Sequence, residues 1–176
     1  LSENMVANNI DYSLVLTSYK VNEHRPSTRQ VVEAIKGYNN LGVVSGVSYL
    51  HYNHRDVREI SEYLENGFIK GLKFYPPWIK DCMEVVYKNK NVYADISGLV
   101  LGDFSDKFER YMKKEIEAMI TYAGDPRYLL YGTDWPISNM KSYLKFMNQL
   151  DLTDEKKELI LWKNAAELFK IDVRKL

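Results

Sequence analysis

Short apolar runs of strand length alternate along the chain with segments whose apolar residues recur at helical spacing. The first run is Ser13 to Tyr19 (SLVLTSY). After it Ser27 and Gln30 are spaced as a capping box, followed by Val31, Val32, Ala34 and Ile35, with Gly37 as a stop. Leu41 to Leu50 (LGVVSGVSYL) is a second strand. From Arg55, Val57, Ile60 and Leu64 outline a helix ended by Asn66-Gly67. Lys70 to Tyr75 (KGLKFY) is a third strand, and a helix carrying Ile79, Met83 and Val86 follows Pro76-Pro77. Asn91 to Ser97 (NVYADIS) is a fourth, broken by Gly98. Phe104, Phe108, Met112, Met119 and Ile120 then mark a long amphipathic helix. Tyr128 to Gly132 (YLLYG) is the fifth strand and leads into Thr133-Asp134-Trp135-Pro136. Two closing helices are expected, one capped by Thr153 with Asp154 and Glu155 in its first turn, the last capped by Asn164 with Glu167 three residues on.

Strand–helix alternation repeated in this way implies parallel strands with helices packed outside them. Strands buried on both faces lose the polar–apolar alternation of half-exposed ones, which accounts for runs such as LGVV and YLLY. A doubly wound open sheet and a (β/α)8 barrel both fit. No glycine-rich dinucleotide fingerprint or phosphate loop follows a strand, so the nucleotide-binding versions lose support.

At 176 residues and 45% apolar content the chain suits one domain with a real core. Lys plus Arg and Asp plus Glu number 24 each, giving a formal net charge of zero. A neutral chain without a basic run argues against nucleic acid or an anionic membrane surface as partner. A small-molecule substrate is the expected partner, with a homodimer left open. The single cysteine, Cys82, excludes an internal disulfide and a cysteine-only metal site. With no long apolar stretch and no charged-then-apolar leader, a reducing, cytoplasmic setting is the default expectation. The chain opens on Leu1, in what reads as the middle of a domain.

In parallel α/β folds the working groups lie at the carboxyl ends of strands. Those ends carry Tyr19 and Lys20, Tyr49 and His51, Lys73 and Tyr75, Ser97, and Asp134. Asp134 is the sharpest, directly after an apolar strand within Gly-Thr-Asp-Trp-Pro. A carboxylate held there can ligate a metal and take a proton from an attacking water; a cap or turn aspartate is the alternative. Lys73 and Tyr75, two apart, point to one face of their strand. A lysine pointing into a barrel needs a catalytic use or a carboxylate partner such as Asp95 or Asp134. Asp95, mid-strand, reads as structural. His24, His51 and His54 fall in loops, where solvation is commoner than metal ligation.

Taken together, GLKFYP (Gly71 to Pro76), NVYADISG (Asn91 to Gly98), YLLYGTDWP (Tyr128 to Pro136) and ILWKNAAELFKI (Ile160 to Ile171) resemble the amidohydrolase-related family. That family includes aminocarboxymuconate semialdehyde decarboxylases, resorcylate-type decarboxylases, and amide and lactone hydrolases. The resemblance covers nearly the whole chain and keeps the motifs in family order. It implies an α/β fold, a (β/α)8 TIM barrel of the metal-dependent hydrolase type. It also implies a divalent metal, zinc before manganese, with Asp134 as ligand and proton acceptor. Lys73 matches the family's fourth-strand lysine, a site-shaping residue. On this basis Asp134 and Lys73 are the candidate catalytic residues, and Tyr75, Ser97 and Trp135 the candidate substrate contacts.

The family's first-strand His-x-His and the histidines of its fifth and sixth strands have no match here. A barrel of ~250 residues spends ~31 on each βα unit, so 176 residues supply five or six units. One barrel domain over residues 1–176 is therefore expected, lacking strands one, five and six, with a segment missing at 76/77. The expected activity is hydrolysis of a small ester, lactone or amide. Nonoxidative decarboxylation of a small aromatic or unsaturated acid, or a metal-free non-catalytic barrel, are the alternatives.

Overall fold

The computed structural model describes residues 1–18, 24–47, 54–74 and 79–175. The chain divides into two compact units, one of residues 1–75 with 174–176 and one of residues 76–173.

The first unit opens with helix α1 (Ser2–Ala7), whose Met5 is buried. It then holds a three-stranded parallel sheet of β1 (Ser13–Leu16), β2 (Leu41–Gly46) and β3 (Gly71–Lys73), in that order. Helices α2 (Thr28–Ala34) and α3 (His54–Glu65) form its crossovers. The predicted capping box is present: the Ser27 hydroxyl accepts from Gln30 N–H while the Gln30 side chain accepts from Ser27 N–H. His54, expected in a loop, opens α3. Of the apolar positions that foretold α3, only Ile60 packs on the Val31, Val43 and Ile69 core, joined there by Tyr63. Val57 and Leu64 are exposed. Beside this core runs a chain of hydroxyls. Thr28 Oγ1 stands 2.8 Å from Thr17 Oγ1 and 2.9 Å from Ser45 Oγ, and Thr17 Oγ1 also accepts from Gly46 N–H. Thr17 and Ser45 are buried polar groups, and these bonds satisfy them.

The second unit pairs β4 (Ala94–Asp95) with β5 (Leu129–Leu130), again in parallel. Around them lie α4 (Ile79–Lys88), α5 (Asp106–Ala123), α6 (Met140–Asn148) and a closing helical stretch of α7 (Asp154–Glu158), a π-helical turn (Leu159–Lys163) and α8 (Asn164–Leu168). Val86, Ile96, Met112, Ile116, Ile120, Leu129, Phe146, Met147 and Ile160 fill the core between them. The strands are shorter than their apolar runs, although the Ile96 N–H to Leu130 carbonyl bond of 3.0 Å carries the pairing past β4.

Two expectations are corrected here. Helix α6, capped by the Asn139 side chain on Lys141 and Ser142 N–H, was not foreseen. Asn164 caps nothing: its backbone is helical, its side chain is 4% exposed, and its amide donates to the Pro126 and Leu129 carbonyls at 2.8 and 2.7 Å. A polar residue ahead of an apolar helix signals a cap only when the chain before it is not already helical. Thr153 does cap α7, accepting from Lys156 N–H. Among the described residues no helix is long and apolar enough to cross a membrane.

Candidate functional site

The second unit carries the candidate site at the carboxyl ends of β4 and β5. Ala94 pairs with Leu129 and Asp95 with Leu130. Strand alternation then puts Ala94, Ile96, Leu129 and Tyr131 on the face packed against the helices, and Asp95, Ser97, Leu130 and Gly132 on the other. The second face is crowded. A β-carbon at Gly132 would stand 3.0 Å from Ser97 Cβ and 3.7 Å from Asp95 Oδ1. Asp95 Oδ1 accepts from Ser97 N–H at 3.1 Å and from the Ser97 hydroxyl. Asp95 thus closes the strand end with a local turn bond, in keeping with the structural role read from sequence.

Asp134 follows on the same side. It is exposed and has φ of 58°, in the left-handed region that aspartate tolerates better than most residues. Its carboxylate lies over Gly98, itself at φ 67°, where a β-carbon would come 3.5 Å from Asp134 Oδ2. The turn that holds it is braced from within. Thr133 Oγ1 accepts from Trp135 N–H at 3.2 Å, the Thr133 carbonyl accepts from the Ser138 hydroxyl, and the Asp134 carbonyl accepts from Ile137 N–H at 2.9 Å. The Trp135–Pro136 peptide is cis. The cap alternative for Asp134 falls away, because Asn139 caps the following helix. Among the described residues the Asp134 side chain takes no hydrogen bond, so its carboxylate is presented to solvent.

The loop after β4 is laced to the loop after β5. Gly102 N–H donates to Ile137 O at 2.9 Å, Asn139 N–H donates to Gly102 O at 3.0 Å, and Phe104 N–H donates to Ser142 Oγ at 3.1 Å. Tyr143, fully buried, accepts from Leu99 N–H at 2.7 Å. Burial pushes the Tyr143 phenol up, the Leu99 and Val100 N–H groups pull it back, and the Asp134 and Asp95 carboxylates push it further up. A small apolar hollow lined by Val86, Met119, Ile120 and Leu129 lies at the other, amino end of β5. It has no part in the site.

Of the residues singled out from sequence, Ser97, Asp134 and Trp135 therefore meet in one unit, with Asp95 beside them. Lys73 belongs to the first unit, where it pairs with Gly46. Register puts both on the sheet face opposite Val43 and Ser45, hence away from the α2–α3 core, as the two-residue period required. Tyr75 lies outside the described residues, as do Tyr19, Lys20, Tyr49 and His51. Sequence reasoning missed Tyr143, since the helix bearing it went unseen. Gly98 was read only as a strand break, although a glycine just past a strand end is also the signal for a close approach. Among the described residues no three His, Cys, Asp or Glu side chains gather where they could hold a metal ion. The described residues thus do not make up the ligand set that the resemblance implies.

The family model for amidohydrolases matches residues 66–171, a span that includes Lys73, Asp95 and Asp134. The chain belongs to the amidohydrolase family. No curated protein sequence matches it. Among solved structures, a probable 2-pyrone-4,6-dicarboxylic acid hydrolase from Acinetobacter baumannii, with citric acid bound, superposes with a TM-score of 0.64 at 12% identity, covering 96% of this chain and 87% of that one. An uncharacterized TIM-barrel protein from Bordetella bronchiseptica gives 0.57 at 13% identity, covering 96% and 81%. The amidohydrolase fold is thus the TIM barrel, and the parallel strands with crossover helices described above are part of one. A dihydroxybenzoic acid decarboxylase from Polaromonas, with bound manganese and the inhibitor 2-nitroresorcinol, gives 0.40 at 20% identity, covering 78% of this chain. This amidohydrolase chain spans 36% of that decarboxylase's length.

Proposed function

We propose that the chain carries the proton-accepting end of a hydrolase site of the amidohydrolase type, acting on a small ester, lactone or amide. The observation that carries this reading is Asp134. It stands exposed at the carboxyl end of a parallel strand, in a left-handed backbone conformation, with its carboxylate over the bare α-carbon of Gly98. A left-handed non-glycine residue costs about 1–3 kcal/mol and persists where the surroundings over-determine it, which is commonest at functional sites. A carboxylate so presented accepts a proton from water attacking a carbonyl, and returns it to the leaving group. Trp135, next in the chain, supplies an aromatic wall beside it, and Ser97 a polar contact from the neighbouring strand.

The cofactor that goes with this reading is a divalent metal, zinc before manganese, for which Asp134 is one ligand. Among the described residues the five short strands, in sheets of three and two, do not close a barrel. We therefore also propose that one barrel domain is completed by strands beyond those described, with an additional segment entering at 76/77.

The test is an absorbance assay of the purified protein, loaded with zinc or manganese, against a panel of aryl esters, lactones and hydroxybenzoates. Turnover of esters or lactones that drops by about 10²–10⁴-fold in Asp134→Asn supports the proposal. Asparagine also tolerates the left-handed region, so the fold survives the change. Turnover of hydroxybenzoates alone replaces the hydrolase with a decarboxylase, and no turnover in either metal leaves the non-catalytic barrel.

A further inference from the structure

Tyr143 follows Asp134 in the chain, and the fold brings its hydroxyl to Leu99, next to the Gly98 over which the Asp134 carboxylate lies. It lies in the first half of α6, with no exposed surface. Its ring is held edge-on against Phe104, centroids 5.0 Å apart, and Phe104 in turn stacks on Phe146 at 4.5 Å. Those contacts fix the ring. The hydroxyl is not needed for them, and burying a hydroxyl is costly unless it finds a partner. Its partner is the Leu99 N–H at 2.7 Å, 44 residues away in sequence. Leu99 adjoins Gly98, the residue over which the Asp134 carboxylate lies.

We infer that Tyr143 is a positioning residue, whose hydroxyl anchors the Gly98–Leu99 turn and so sets where the Asp134 carboxylate rests. The geometry is specific to this side chain. The Gly102–Ile137, Gly102–Asn139 and Phe104–Ser142 bonds join the two loops further out. The Tyr143 bond is the tie next to Gly98. Tyr131, also buried, has a hydroxyl without a hydrogen-bond partner among the described residues and lies on the helix-facing side of β5, so it offers no such tie.

The inference rests on the hydrolase reading for its kinetic consequence but not for its structural one, so two measurements on the full chain separate them. The first is the Asp134 side-chain carboxyl ¹³C resonance, at one fixed neutral pH, in the wild type, in Tyr143→Phe and in Phe146→Leu. Tyr143→Phe keeps the ring and removes only the hydroxyl. Phe146→Leu loosens the same core and leaves the tie intact. A resonance that moves in Tyr143→Phe and stays in Phe146→Leu supports positioning. One that stays in both, or moves equally in both, overturns it. Should Tyr143→Phe fail to fold, 3-fluorotyrosine at 143 replaces it, weakening the hydroxyl as acceptor at nearly constant volume, with the same two outcomes. The second measurement is kinetic. With a substrate turned over by the wild type, Tyr143→Phe is expected to lower kcat by about 10–100-fold with KM nearly unchanged. Phe146→Leu, with a Tm at least as low, is expected to keep its kcat. Equal kcat in the wild type and Tyr143→Phe overturns the inference. Absence of any wild-type turnover overturns the hydrolase reading and leaves the resonance test standing.

Discussion

Gly132 and Ser97 meet across the β4–β5 pair so closely that a β-carbon on Gly132 would lie 3.0 Å from Ser97 Cβ. Ser97 is held to Asp95 by both its N–H and its hydroxyl, and Gly132 lies just past β5, two residues before Asp134. The glycine is thus a spacing device that lets the carboxyl ends of the two strands converge.

Gly132→Ala is therefore expected to destabilise the protein by about 1–3 kcal/mol, the usual cost of forcing an extra carbon into a packed contact. The backbone at Gly132 is not left-handed, so the loss comes from crowding, offset by about 0.4–1 kcal/mol from the stiffer unfolded chain. Urea denaturation measures it, and a change below about 0.5 kcal/mol, the range of an indifferent surface substitution, would show that the strands simply move apart.

Asp134 makes the opposite case, in which local comfort is given up. Glycine at φ 58° escapes a left-handed penalty of about 1–2 kcal/mol while losing about 0.5–1 kcal/mol more chain entropy on folding. Asp134→Gly is expected to hold its stability or gain up to about 1 kcal/mol and to lose the proposed activity. Asp134→Ala, which lacks glycine's freedom at φ 58°, is expected to be the less stable of the two. Thermal unfolding of the three proteins side by side orders them; Ala matching Gly would mean that the backbone at 134 relaxes.

How much of this was readable beforehand depends on whether a signal is local. The Ser27–Gln30 capping box and the Thr153 cap are written within four residues and were found where expected. The strand ends near Ser97, Lys73 and Asp134 were legible because each follows a short apolar run bounded by turn residues. Asn164 defeated the same kind of reasoning: its role is to satisfy carbonyls near position 129, and nothing within four residues of it records that. Helix α6 carried a local signal that went unread, Asn139 ahead of Met140, Tyr143, Phe146 and Met147 at helical spacing. Tyr143 went with it. Val57 and Leu64 show the converse, apolar residues at helical spacing that stay exposed.

Asn164 lends itself to a direct test. Its amide donates to the Pro126 and Leu129 carbonyls, and Pro126 O also accepts from Leu129 N–H at 3.0 Å. Replacing the amide with a leucine of similar size leaves Pro126 O one partner but strips the Leu129 carbonyl of this bond. An unsatisfied buried acceptor costs about 1–3 kcal/mol, so Asn164→Leu is expected to lower stability by about that amount in urea denaturation. A neutral result would mean that water reaches the Leu129 carbonyl once the amide is gone.

Alkaline pH tests the buried phenols. Burial raises both Tyr131 and Tyr143 above the ordinary tyrosine value of 10.0, and the Asp134 and Asp95 carboxylates add to the rise at Tyr143. In the unfolded chain both ionise near that ordinary value, so above it the unfolded state has released protons that the folded state still holds. The sign follows from linkage: the stability contributed by keeping these phenols neutral is fully present below about pH 10, and is lost as pH climbs towards their folded values. Stability is expected to fall with pH above about 10, with a slope shallower in Tyr131→Phe and in Tyr143→Phe than in the wild type. Denaturant midpoints taken in steps from pH 8 to 11.5 give the slopes. If both phenylalanine variants kept the wild-type slope, the alkaline loss would belong to other groups and the two hydroxyls would be reaching water in the folded protein.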